Sequence, residues 1–177
     1  MMIATLKDFA PMSRGVVLLV SLWIAVILME IWLGGTVYQM VVIVPLWTDS
    51  LPESLSSFMH GTNFGHAVLN FFGSYLGPLR LVAIIVALVA GWRSPKHRAA
   101  LRVAVASYLF IIALTVLYIY TMLPTILAGG ASTVEETRLI LERFILADRF
   151  RFVVGCGTFF ALLWAFRLPY PPRADRN

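Results

Sequence analysis

Charged side chains stand at places where the chain is otherwise apolar, and those are the residues with chemistry to offer. Glu30 is the one charged residue between Gly15 and Trp47, and Arg80 directly precedes the wholly apolar stretch Leu81 to Ala90. Asp148 and Arg151 are three apart, on a helical face continued by Gly155 and Phe159. A carboxylate beside a guanidinium can take a proton from a substrate and hold the anion that results. Ionisable groups at membrane depth are costly, which makes these residues functional candidates. Each also has a structural reading. Glu30 could hydrogen-bond or pair with another helix, for instance through Arg80, and Arg80 could snorkel to headgroups. Asp148 and Arg151 could be no more than a local pair. On an ideal helix Trp23, Gly34 and Val37 share the meridian of Glu30, with Tyr38 at its edge and Gln39 opposite. Tyr108, Thr115 and Tyr118 share another face, although interfacial aromatics are often only belt residues.

Other chemistries find little support. His60 and His66 are six apart with Gly61 and Gly65 between them, and His97 lies elsewhere, so no metal-ligand spacing is present and neither zinc nor haem is expected. Cys156 is the single cysteine. No phosphate loop, nucleophile elbow or dinucleotide fingerprint occurs.

The elements that carry these residues follow from composition. Of 177 residues, 60% are hydrophobic and 13% charged, with a mean hydropathy of +0.85. A water-soluble domain keeps an apolar share of about one half, so the excess is expected to face lipid. The net charge of +5 concentrates at the ends of apolar runs, which argues for topology control rather than nucleic-acid binding. The fold expected is all-α: a polytopic membrane protein with four transmembrane helices and short amphipathic helices in its outer loops. Crossings are expected in Gly15 to Trp47, with a bend at Gly34-Gly35, and within Ala67 to Trp92, interrupted by Gly77-Pro78. The third runs from Ala99 to Leu123 and stops at Pro124; the fourth is continuous over Phe152 to Phe166 and long enough if it begins near Phe144. Residues 1–168 form one domain, and 169–177, with three prolines, a disordered tail.

Lys7 and Arg14, then Arg93, Lys96, Arg98 and Arg102, then Arg167, Arg173 and Arg176 mark the N-terminus, the middle connection and the C-terminus as cytoplasmic. In the outer connections Ser50-Leu-Pro-Glu53 and Ser132-Thr-Val-Glu135 fit capping boxes, with helices stopping at Gly61 and running on into the fourth crossing. Thr36-Val37 precedes Pro45, and Thr115-Val116 precedes Pro124, by the same nine positions, an internal echo that chance could also produce. Tyr38, His60, His66, Arg80, Tyr118, Asp148 and Arg151 thereby map to the outer half, with Glu30 below them. Any hollow in the bundle is expected there.

The residues Pro124-Thr125-Ile126-Leu127, then Phe144, Asp148 and Arg151, and Gly35, Tyr38 and Pro45 in the first run resemble motifs of the anthrone-oxygenase-like family of small four-helix membrane proteins. Asp148 stands where the family has His or Asn, and Phe144 where it has Trp. The resemblance implies oxidation of an anthrone-like phenol to a quinone by molecular oxygen without a recognised cofactor, and it adds Pro124 and Thr125 to the candidate substrate-binding residues. Asp148 or Glu30 is then the expected base. Arg151 and Tyr118 hold the anion, and Tyr38, His60, His66 and Arg80 line the site. The partners expected are membrane lipids and a lipophilic small molecule, in a bacterial inner (plasma) membrane, with a homo-oligomer left open. The competing reading is a non-catalytic membrane subunit whose polar residues hold helices or dock a partner protein; a transporter is a third.

Overall fold

An apolar run in a chain without polar partners must satisfy its backbone from within, and the helix does so locally. The computed structural model describes residues 14–61 and 75–170, and every regular element among them is helical. Helix α1 spans Arg14–Thr48, α4 Pro95–Leu127 and α5 Val134–Arg167, each long and apolar enough to cross a membrane. Between them lie α2, Glu53–Gly61, and the shorter apolar α3, Gly77–Gly91. The four apolar helices pack as neighbours in the order α1–α3–α4–α5 and back to α1, while α2 lies across one end against α1 and α4. Large apolar side chains project outward from all four, among them Ile27, Val82, Val103 and Phe160.

Several element boundaries differ from expectation. The α-helix runs through Gly34-Gly35 without a break. Instead α1 widens into a π-helical segment, Gln39–Ile43, in which the Val44 N–H reaches back to the Gln39 carbonyl. Pro45 offers no N–H and its ring would crowd the carbonyl four residues earlier, and a wider turn relieves both. Helix α4 starts four residues earlier than expected, with Pro95 in its first turn, and passes through Pro124 rather than stopping there. It too carries a π segment, Thr115–Ile119. Thr36 and Thr115 each donate to the carbonyl four residues back, at 2.9 and 2.7 Å, a bond that loosens and bends a helix. Each rod thus has a back-bonded threonine, a π segment and a proline, although the π segment begins three residues after Thr36 in one and at Thr115 itself in the other.

Gly77-Pro78 does not interrupt the helical backbone: Tyr75 and Leu76 before it are already in a π-helical turn, and the α-helical part follows with proline in its first turn. Residues 62–74, to which the start of the expected second crossing and His66 belong, lie outside the described residues, as do 1–13 with Lys7, and 171–177 of the expected tail. The N-cap of α5 is Thr133, whose hydroxyl accepts from the Glu136 N–H at 3.2 Å, rather than Ser132. At α2 the cap is not Ser50; Ser54 folds back to donate to the Trp47 carbonyl at 2.7 Å. Helix α4 ends in Gly129 and Gly130 at φ of 86° and 126°, which ordinary side chains avoid. The Gly130 N–H reaches the Thr125 carbonyl at 3.0 Å, closing a Schellman turn.

Arg14, Arg93, Lys96, Arg98, Arg102 and Arg167 collect at one end of the molecule, called here the basic end. Two apolar cores result. One, nearer that end, joins Leu18, Leu22, Ala25, Ala83, Leu101, Ala104 and Leu162. The other, at the distal end under α2, joins Ile43, Trp47, Leu55, Ile119, Ile126 and Phe144.

Candidate functional site

Between the two cores the helices part and leave a cavity of about 420 Å³, within the range of small-molecule sites. Both π segments line it, through Gln39 and Ile43 on one side and Thr115 and Ile119 on the other. Each widened turn swings its helix locally, and π segments recur at functional sites for that reason. The walls are mostly apolar and aromatic, and the polar groups on them include Arg80, Tyr108, Thr115 and Arg151.

Those groups form one connected cluster. The Arg80 guanidinium lies over the Trp32 ring at 5.0 Å and the Tyr108 ring at 5.4 Å, and that of Arg151 lies 5.5 Å from the same indole. Stacking of this kind stabilises a cation that has left water. Arg80 is 4% exposed and donates from Nε to the Leu76 carbonyl at 3.2 Å, while its Nη1 is buried with no partner among the described residues. Tyr108 donates to the Gly77 carbonyl at 2.8 Å, tying α4 to the first turn of α3. Arg151 donates to the Thr115 hydroxyl at 3.2 Å and is ion-paired with Asp148. Asp148 thus pairs with Arg151 alone, and Arg80 adds a second buried guanidinium that has no carboxylate partner among the described residues, so the cavity floor carries an excess positive charge.

Trp32 is positioned by what α5 lacks. A Cβ added at Gly155 would run into the Trp32 ring, so glycine at that position is what lets the indole approach α5 so closely. Farther toward the basic end, Thr158 donates to the Ser107 hydroxyl at 2.8 Å, a polar link between α4 and α5.

The candidate residues divide. Tyr38, Arg80 and Arg151 line the cavity. Asp148 is 2% exposed but sits behind the wall, in a crevice beside Met40 and Phe144; it touches the cavity only through Arg151, in the local pair that its spacing suggested. Arg80 does not snorkel outward and does not pair with Glu30. Glu30 is exposed on the outward face of α1, away from the cavity. Tyr118 is also exposed, at 42%, and outside the lining. His60 caps its own helix, bonding the Ser56 carbonyl at 2.9 Å, close under Gly129. Pro124 and Thr125 do not line the cavity; the Thr125 carbonyl serves the turn that follows. His66 lies outside the described residues.

Nothing in the sequence marks Trp32, Thr36, Trp47 or Gly155 as site residues, and Tyr108 and Thr115 stand out only through a shared helical face. The available signal was that face together with the nine-residue echo, which places Thr36 and Thr115 at matching positions. Among the described residues no group of three or more His, Cys, Asp or Glu side chains converges as a metal site. Set against known proteins, the chain matches no family model, no curated protein and no solved structure.

Proposed function

We propose that this is a four-crossing integral membrane protein that oxidises a lipophilic phenol, of the anthrone or quinol type, in the cavity between its two cores. The outward apolar side chains of α3, including Leu79, Val82 and Val89, support counting it as the inner part of a fourth crossing, since fifteen residues span only roughly 22 Å. The clustering of basic residues supports a cytoplasmic basic end, with both termini on that side. The distal half, with the cavity, then lies toward the outer surface.

The observation that carries the reading is the excess of guanidinium over carboxylate on the floor of an aromatic, apolar cavity. A polycyclic or substituted phenol buries its rings against Trp32, Tyr108 and Phe144, and its oxygen faces the Arg80 side chain on the cavity floor. Two cations favour the phenolate over the phenol, so the substrate is held as the electron-rich anion that oxygen attacks. For an anthrone, the ring methylene and one O₂ become a ketone and one water. The methylene proton leaves because the anion is stabilised, and it ends, with the second methylene hydrogen, in the water formed from O₂. Asp148 acts by holding Arg151 rather than by facing the substrate. The short motifs shared with the anthrone-oxygenase-like family support the choice of substrate.

The test is oxygen uptake by purified protein in lipid nanodiscs with anthrones and hydroquinones, beside quenching of tryptophan fluorescence by a phenol that cannot be oxidised. Uptake that falls with Arg80→Met supports the reading. Quenching without uptake leaves a binding protein, and the absence of both quenching and uptake overturns the reading. The second reading, a non-catalytic subunit that docks a partner within the membrane, draws on Glu30, a carboxyl on an outward helix face.

A further inference from the structure

We infer that the outward face of α1 around Glu30 seats a second copy of this chain, with the two Glu30 carboxyl groups hydrogen-bonded across a two-fold axis along the membrane normal. This rests on the membrane-spanning reading of α1 and is independent of what occupies the cavity.

Depth is the first argument. Trp23 meets Phe166 ring to ring at 4.9 Å and Trp32 lies against Gly155, so α1 and α5 run antiparallel with Glu30 level with about residue 158. Leu18 lies beside Gly91, at the junction that carries the basic residues. Glu30 is twelve residues farther along α1, roughly 18 Å from that level at 1.5 Å per residue, near the middle of a hydrocarbon core about 30 Å thick. The carboxyl is exposed there, and among the described residues it has neither a hydrogen bond nor an ion pair.

Complementarity is the second. Acyl chains offer a carboxyl group no partner, and leaving it unsatisfied in hydrocarbon is costly. Two carboxyl groups facing each other complete a cyclic pair, each O–H donating to the other's C=O. A second copy inserted with the same topology presents that group at the same depth by symmetry, in an isologous contact. The surrounding surface fits close approach: a Cβ at Gly34, one turn away on the same face, would meet nothing within 4 Å. That leaves a notch of the kind that helices use to pack in membranes. Trp23, Ile27 and Val37 flank it, exposed by 51, 47 and 44%. On α4, by contrast, the outward positions Val103, Leu109 and Phe110 are purely apolar, as lipid requires.

The experiment uses the full chain in its native membrane, with Cys156→Ala removing the one natural thiol. Single cysteines are placed by Ile27→Cys and Gly34→Cys, with Val103→Cys as the lipid-facing control, and oxidised with copper phenanthroline. Disulfide-linked dimers are expected at 27 and 34 in clear excess over 103. In mild detergent Glu30→Leu raises the dimer dissociation constant roughly tenfold, the scale of one interhelical polar pair, whereas Glu30→Gln, whose amide is also self-complementary, retains the dimer. Cross-linking at 27 and 34 no greater than at 103, or a dimer indifferent to Glu30→Leu, overturns the inference. Extraction by alkaline carbonate would show instead that the membrane-spanning premise had failed.

Discussion

Near the basic end the apolar helices meet through small side chains: Ala25, Ala83, Ala87, Gly91, Ala100, Ala104 and Ala165 are all buried, with leucines between them. Farther along, Trp32 and Tyr108 at the edge of the core nearer that end and Trp47 and Phe144 in the distal one line the cavity, and the same helices stand apart around about 420 Å³ of space. Small residues let backbones approach closely where the hydrophobic effect cannot drive association. Large aromatics, two π segments and buried guanidinium groups hold them open. One set of helices thus gives a closed half that fixes the fold and an open half that can take a ligand.

Several substitutions test this contrast. The largest effect is expected from Asp148→Ala, which leaves the Arg151 guanidinium without its carboxylate. Breaking a buried pair on one side costs about 3–5 kcal/mol, and thermal unfolding in detergent should show it. Arg80→Met acts in the opposite sense. It removes an incompletely partnered buried charge and should leave stability equal or higher, yet weaken binding of a lipophilic phenol by roughly 10- to 100-fold, the loss of one charge-assisted hydrogen bond of about 1.5–3 kcal/mol. Tryptophan quenching measures it, and Arg102→Met, in the closed half, should leave binding unchanged. Gly155→Ala is expected to cost about 1–3 kcal/mol by overpacking against Trp32. Gly157→Ala, two residues on, where a Cβ meets nothing within 4 Å, should stay within about 0.5 kcal/mol of the parent; equal melting temperatures for the two would refute the role given to Gly155. The smallest effect is that of Thr133→Ala at the start of α5, about 1 kcal/mol.

Much of the helical layout can be read from the chain because it depends on local rules. Uninterrupted apolar length sets the long helices, and glycine pairs mark a turn such as Gly129-Gly130. Proline misled. Pro124 suggested a stop, but a helix can absorb proline by widening its turn, and no local rule weighs that against the packing gained by continuing. The spacing of Asp148 and Arg151 foretold their pairing, because three residues along a helix bring side chains together whatever surrounds them.

Which way each face turns is a different matter. The meridian of Glu30, Trp23, Gly34 and Val37 is correctly grouped by helical period, and the fold turns that whole stripe outward. A helix that is apolar on every side carries no amphipathic signal to say which side is the inside. Arg80 shows the converse: nothing near it in sequence tells that its charge lies between Trp32 and Tyr108, which come from two other helices. The sequence alone determined an all-helical chain with long apolar helices and its charges sorted to their ends, since these follow from hydrogen bonding and solvation along one segment. The packing of four helices decided where the cavity lies, that two arginines share its floor, and that Glu30 stands outside it, because those depend on which side chains from distant segments are small enough to let the helices close.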